Sequence, residues 1–379
     1  GAPDYGSGGR SEGIADINPE DIESMSVLTG AAAAALYGSN ASNGAIVITT
    51  KKGREGKAEL SVTSNTEVLT PMMLPRFQNR YGNVEGEATS WGGLNNGKKG
   101  TGYNPGTDFL RTGVVATETV SLSVGNGKNQ IYASVGAVDS KGIVPNNGYH
   151  RYNASIRNTT SFLKDRIHLD VAAQYIKQKD LNMVNQGIYG NPLVAAWLYP
   201  RGEDWRYTKM FELYSPERKI YTQNWDFMGK GGIEWDNPYW TQYRILRRND
   251  RDRYMISGGL TWDILDWLKI SGRVRIDNTD NTFSDNTYAG TNPTITEGSS
   301  NGYMNQEESA QRQIYADVLL SMNKTWGDWS LGANLSASIS DMKARLMQIR
   351  GGIREDGLPN VFAIQQLDKN TQIPLQSGW

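Results

Sequence analysis

Cysteine is absent from the 379 residues, and histidine occurs only twice. Without a thiol there is no disulfide scaffold, no thiolate zinc site and no cysteine nucleophile. Two histidines leave almost nothing for a histidine-rich metal centre. A surplus of either charge is also missing: 39 Lys and Arg stand against 40 Asp and Glu, a net charge of -1. That balance argues against a broad nucleic-acid-binding face. No run approaches about 18 consecutive apolar residues, so no transmembrane helix is expected. No charged-then-apolar leader follows Gly1, which puts any export signal outside this chain or already removed. What the sequence does have is glycine (42 residues), with 11 Trp and 19 Tyr. The aromatics argue against disorder, and the composition suits a β-rich protein, including the membrane class that hydropathy misses.

Period-two alternation is the strongest pattern. Trp329, Leu331, Ala333, Leu335, Ala337 and Ile339 alternate with Ser330, Gly332, Asn334, Ser336, Ser338 and Ser340. Such a strand has one apolar face and one polar or small face. Leu268, Ile270, Gly272, Val274 and Ile276 alternate in the same way with Lys269, Ser271, Arg273, Arg275 and Asp277. Similar segments lie near 59–68, 117–125, 130–138, 151–161, 167–177, 253–264 and 313–325. The reading is therefore nine strands of about ten residues or more, a length that suits a tilted membrane-spanning strand.

The connections come in two kinds. Short turns fall at Asn126–Asn129 and around Lys164-Asp165, Leu265-Asp266 and Gly327-Asp328. Between these hairpins run long connections at about 69–116, 178–252 and 278–312, with a moderate one at 139–150. Short turns at one end and long loops at the other are the pattern of an outer-membrane barrel, which turns its apolar face to lipid and keeps a wet lumen. Trp262, Trp267, Trp326 and Trp329 flank the short turns, where strands would pass through an interfacial girdle. Packing in a soluble core accounts equally well for any one of them, and the alternation and the loop asymmetry tip the balance.

Residues 1–57 follow different rules. Asn18 can cap a helix, Pro19 fits its first turn, and Glu20, Asp21 and Glu23 favour the positive end of its dipole. Met25–Leu28 reads as a short strand, Ala31–Tyr37 as an Ala-rich helix that Gly38 could end, and Gly44–Lys52 as a β-branched strand closing on two lysines. By composition alone this is any small α/β subdomain.

The run INPEDIESMSVLTGAAAAALYGSNASNGAIVITTKKGREGK, Ile17–Lys57, resembles the end of the plug domain of TonB-dependent outer-membrane transporters, specifically those of the SusC/RagA group. Further matches fall at Lys141–Asn146, Gly148-Tyr149, Arg151–Asn153 and Asn237–Tyr239. The resemblance implies an all-β transmembrane barrel of 22 antiparallel strands with a small α/β plug in its lumen. Residues 1–57 would be the C-terminal part of that plug and 58–379 the first nine or so barrel strands with long extracellular loops. It implies active import of oligosaccharides or oligopeptides across the outer membrane of a Gram-negative bacterium. A SusD-like surface lipoprotein would act as a lid, and TonB would pull through a segment outside this chain. Asn18, Asp21, Tyr37, Gly38, Asn43, Gly44, Lys51 and Lys52 would belong to the moving, gating part of the plug. No cofactor is implied, and outer-membrane lipid is an implied partner. Nine strands trailing into an irregular 341–379 cannot close, so an incomplete portion of a larger barrel is expected.

Chemistry beyond transport finds little support. Gly92–Lys98 fits GxxxxGK, but Lys99 replaces the required Ser or Thr and no apolar strand precedes it; an external loop is the plainer reading. Asp277, Asp280 and Asp285 lack EF-hand spacing. His150 and His168 have no nucleophile context. Arg273 and Arg275, on the polar face of a strand, suit a wet lumen or plug contact better than a ligand site. The loop aromatics Trp91, Trp197, Trp205, Trp225, Trp235 and Tyr239 could stack on sugar rings or peptide side chains, although packing within the loops or against the lid is the plainer role. Two rival functions stand beside import. One is a non-transporting adhesin barrel; the other is an all-β carbohydrate-active enzyme, which would need a facing carboxylate pair that does not stand out here.

Overall fold

The computed structural model describes residues 16–30, 43–95, 104–185, 187–228, 235–370 and 372–378. Two strands, β1 (Ile22–Leu28) and β2 (Ala45–Thr50), form an antiparallel hairpin. Then come β3 (Gly56–Leu69), β4 (Gly113–Gly125), β5 (Asn129–Lys141), β6 (Gly148–Phe162) and β7 (Ile167–Leu181). A loop layer carries the small hairpin β8 (Glu212–Ser215) and β9 (Ile220–Gln223). The chain continues through β10 (Ile245–Leu265), β11 (Leu268–Tyr288), β12 (Gly302–Trp326), β13 (Trp329–Gly352) and β14 (Ile373–Gly378). Ten of these strands make one antiparallel sheet in the order β14-β13-β12-β11-β10-β7-β6-β5-β4-β3. The sheet is open, with β3 and β14 at its edges.

Register explains how the alternation builds two faces. Directly opposed residues share a face, and Leu60, Leu122, Ala133, Ile156, Ala173, Ile256, Ile276 and Ile314 stand opposite one another across eight successive strands. A lower row runs Ile167, Trp262, Ile270, Leu320 and Leu335. The side chains of these rows are exposed or half-exposed, Leu60 at 66%, Ile256 at 44% and Leu335 at 72%, and Ile339 further along β13 is 67% exposed. An apolar band this continuous, with no protein covering it among the described residues, is the outward face expected for residues 253–277 and 313–340. Tyr152, Tyr175 and Tyr254 border the band on the loop side, and Trp262, Trp326 and Trp329 border it on the turn side. Eight residues separate Tyr254 from Trp262 along β10, about 26 Å of strand at the usual rise.

Three sequence expectations need correction. The strands outrun their alternation: β11 continues to Tyr288 and β12 starts at Gly302, so the connection read as 278–312 shrinks to 289–301. Beyond the apolar band both faces are polar, as in Asn278–Asn281. The hydropathy signal vanishes there while the hydrogen-bond ladder runs on, Asn278 opposite Arg312 and Asn286 opposite Met304. Second, the ending is a tenth strand, β14, with Pro374 opposite Ile349; Pro is tolerated because β14 is an edge. Third, the helix expected at Asn18 is a single 3-10 turn, Pro19–Asp21. Asn18 does accept from the Glu20 N–H at 3.2 Å, but Ile22 already belongs to β1, whose partner strand captures the backbone. The Ala31–Tyr37 helix lies outside the described residues.

Candidate functional site: the hairpin-side wall and the loop layer

The polar face of the sheet receives the hairpin and the segment before it through hydrogen bonds. Asn18, 1% exposed, donates from Nδ2 to Thr119 Oγ1 of β4 at 3.2 Å. Asp21, equally buried, accepts from three wall hydroxyls: Tyr132 at 2.9 Å and Ser134 at 2.6 Å on Oδ1, and Ser155 at 3.2 Å on Oδ2. Asp16 is held between Arg251 (3.3 Å) and Arg253 (2.8 Å), and Arg253 also grips Asp277 at 2.7 Å. Arg157 donates to the Thr50 carbonyl at 2.8 Å and to its hydroxyl at 3.0 Å while holding Asp170 by two bonds. Each wall residue sits at the polar phase of its strand, so the alternation that sends Ile outward sends these side chains toward the hairpin.

Close approach demands glycine at two places. A Cβ on Gly136 would lie 2.9 Å from Asn18 Nδ2 and 2.8 Å from Asn153 Oδ1. One on Gly53 would lie 2.4 Å from the backbone nitrogen of Ile131. Away from these contacts a cavity of about 1540 Å³ separates β2 from the sheet, lined in part by Lys52, Asp170, Arg273, Arg275 and Tyr315.

Of the proposed gating residues, Asn18 and Asp21 are therefore buried contacts. Lys51 donates its backbone N–H to the Asp21 carbonyl at 2.8 Å, and Lys52 borders the cavity. Asn43 is exposed, and Gly44 has φ 114 at the entry to β2. Tyr37 and Gly38 lie outside the described residues. Sequence reasoning missed Asp16, Thr50, Tyr132, Ser134, Ser155, Arg157, Arg251 and Arg253. Their one signal was a polar residue at an inward phase, and their partners are as many as 237 residues away along the chain.

The loop layer has a core of its own. Trp197, Trp205 and Trp235 are 8%, 5% and 4% exposed and pack with Phe109, Tyr199 and Phe227, while Trp225 and Tyr239 lie partly buried against them. Ring contacts tie the cluster together, Tyr199 to Trp205 at 5.2 Å and Trp225 to Trp235 at 5.1 Å, both edge-on. The indole N–H groups find carbonyls: Trp197 that of Pro75 at 3.0 Å, Trp205 that of Asp108 at 3.3 Å, Trp225 that of Trp235 at 3.0 Å. Helices Pro192–Leu198 and Pro238–Arg244 start alike, with Asn191 or Asn237 as the cap and Pro at the first turn. Burial, the main cause, pushes the Tyr239 phenol up to about 12 and raises that of Tyr199 as well. Trp197, Trp205 and Trp235 are thus buried in the loop core, where their rings meet neighbouring protein rather than open space. Trp91 differs: it is 70% exposed and lies 5.6 Å from the Tyr81 ring.

The other weighed residues find protein partners. Asp277 and Asp285 are held by Arg253 and Arg247, while Asp280 accepts from Asn278 at 2.8 Å, so the three do not converge. Arg273 pairs with Asp317 at 2.8 Å and His150 with Asp139 at 3.0 Å. His168 contacts Ser161 at 2.8 Å. Part of Gly92–Lys98 lies outside the described residues.

Known proteins show the same organisation. Residues 1–45 match the TonB-dependent receptor plug domain. The TonB-dependent receptor SusC of Bacteroides thetaiotaomicron is 36% identical over 180 residues, covering 45% of this chain and 17% of that receptor. The TonB-dependent receptor P39 of Formosa agariphila is 31% identical over 153 residues, 38% of this chain and 15% of that one. Among solved structures, the RagAB peptide importer in its closed-closed state superposes with a TM-score of 0.63 at 14% identity, over 97% of this chain and 44% of that chain. The chain thus spans less than half the length of the proteins it matches.

Proposed function

We propose that the chain is part of a SusC/RagA-type TonB-dependent receptor, a reading supported by the plug-domain match and the similarity to SusC, and that it serves active import of oligosaccharides or oligopeptides across a Gram-negative outer membrane. The band from Tyr254 to Trp262 lies in the bilayer, the short turns face the periplasm, and the loop layer faces outside, where a SusD-like lipoprotein closes over it. TonB supplies the pull, and the segment from Asp16 to Lys52 is what yields. No bond in the cargo is made or broken.

The observation that carries this reading is the polar character of the hairpin–wall contact. Asn18, Asp21 and Thr50 are held by hydrogen bonds, with a net worth of about 1 kcal/mol for the neutral one at Asn18 and roughly 1.5–3 kcal/mol where the Asp21 carboxylate or the Arg157 guanidinium takes part, because water replaces the partner when they part. An apolar interface of similar extent would resist displacement far more strongly, whereas this one separates under force and reseals. The buried Asp16–Arg251–Arg253 group is the costlier element and fixes where the segment returns. Trp91, with Tyr81 beside it, is the aromatic ledge offered to cargo; Trp197, Trp205, Trp225, Trp235 and Tyr239 shape the loops that place it.

Because the chain has no cysteine, a thiol cross-link can be introduced cleanly. Asn18→Cys with Thr119→Cys, oxidised or bridged by a short bis-thiol reagent in cells, is expected to stop accumulation of labelled cargo, and reductant is expected to restore it. Cargo that binds the cell surface but never accumulates, bridged or not, would instead establish the adhesin reading.

A further inference from the structure

The turn-side rim of the outward face carries a cation that neither the hairpin nor the wall uses. Lys324 lies opposite Leu331, on the face of Leu320 and Leu335. Its ammonium sits 4.4 Å from the centroid of the Trp267 ring and 5.2 Å from that of Trp326. Among the described residues it has no carboxylate partner. The ion pairs nearest in sequence belong to other cations, Lys269 with Asp263 at 3.1 Å and Arg166 with Asp266 at 3.4 Å. The Nε1–H groups of Trp267 and Trp326 likewise donate to no protein atom among the described residues, unlike the indoles of the loop core.

We propose that Lys324, Trp267 and Trp326 form a binding site for the phosphate of an anionic phospholipid in the leaflet at the short-turn end of the sheet. The proposal rests on the bilayer reading of the outward face. Cation–π attraction fixes the ammonium between the two rings without neutralising it. A positive charge at the edge of the hydrocarbon is costly unless it reaches the headgroup level, and the tryptophans mark that level. A phosphodiester supplies what is missing: one negative charge for the ammonium and unesterified oxygens for the indole donors, with its acyl chains lying along the apolar rows above. A carboxylate-bearing protein partner would have to reach this spot through lipid.

The test uses the intact protein purified from outer membranes and reconstituted in phosphatidylcholine vesicles, with tryptophan fluorescence quenched by brominated lipid. Brominated phosphatidylglycerol is expected to quench at a mole fraction about fivefold lower than brominated phosphatidylcholine, the preference that one cation near an anionic surface confers. Lys324→Gln should abolish the preference and Lys324→Arg should keep it, with unchanged heat-modifiable migration showing that both variants fold. Equal potency of the two lipids on the unmodified protein, or an undiminished preference in Lys324→Gln, overturns the site. Quenching by neither lipid overturns the bilayer reading, and the site with it.

Discussion

The tryptophans of the loop layer and those of the turn-side rim are chemically the same and are used in opposite ways. Trp197, Trp205 and Trp235 are buried; Trp205 packs edge-on against Tyr199 and Phe109, Trp235 packs against Trp225 and Phe227, and the indole N–H groups of Trp197 and Trp205 donate to backbone carbonyls. Trp262, Trp326 and Trp329 are 47%, 49% and 80% exposed, and their indoles donate to nothing in the protein among the described residues. The loop layer is built as a soluble domain is, with a dry core. Among the described residues the sheet has no apolar core like that of the loops, since one face lacks protein cover and the other is a polar wall for the hairpin. Stability of the loops therefore comes from burial within them, and that of the sheet from its ladder and from what it touches on either face.

Breaking the loop core is expected to give the largest effect. Trp205→Ala should cost about 3–5 kcal/mol, the usual loss for a buried tryptophan, and the loss should stay local. Limited proteolysis should cut between residues 187 and 228 while the sheet keeps its heat-modifiable migration. Trp329→Ala, at the rim, should leave proteolysis unchanged, and equal sensitivity of the two variants would erase the distinction. Next is the hairpin side of the sheet. Arg253→Ala leaves Asp16 and Asp277 without their shared cation and should loosen the hairpin by about 3 kcal/mol or more, read as urea-induced release at lower denaturant with the barrel intact. Gly136→Ala should have a smaller effect, about 1–3 kcal/mol, because its Cβ would meet Asn18 and Asn153, although flexible side-chain ends can give way.

How much of this was legible in the sequence follows the same division. Alternation revealed the sheet wherever one face is apolar, so Leu268–Ile276 and Trp329–Ile339 were readable strands. It failed at Asn278–Tyr288 and Gly302–Arg312, because a strand polar on both faces has no hydropathy period, though its backbone pairs just as well. The wall hydroxyls of Tyr132, Ser134 and Ser155 were visible only as polar residues in phase. That they converge on Asp21 is a fact of three-dimensional register between segments more than 100 residues apart. The loop aromatics were noticed for the right reason, their number, but a count of rings cannot distinguish a stacking surface from a core. Phe109 and Phe227, which complete that core, carried no local pattern at all.

The smallest effect at any pH a cell meets, and the sharpest test of the comparison, comes from titration. Burial raises the phenol of Tyr239 from its ordinary 10.0 to about 12, and its hydroxyl donates to the Asp108 carbonyl at 3.2 Å. Tyr199 shifts the same way from the same cause. A tyrosine that ionises more easily unfolded than folded contributes its full stability below the unfolded value, and the contribution is lost as pH rises through the folded value. The loop core should accordingly hold unchanged up to about pH 10 and lose stability between about 10 and 12, seen as growing proteolysis of residues 187–228. Tyr239→Phe removes the titrating group and should flatten that dependence, at the modest cost of one hydrogen bond to the Asp108 carbonyl. Rim tryptophans have no ionisable proton in this range, so their quenching by brominated phosphatidylcholine, which does not call on the Lys324 charge, should stay constant across the same window while the loops loosen. Parallel loss at both places would mean that the loop layer and the sheet unfold as one unit, and that the two sets of tryptophans stabilise a single cooperative structure.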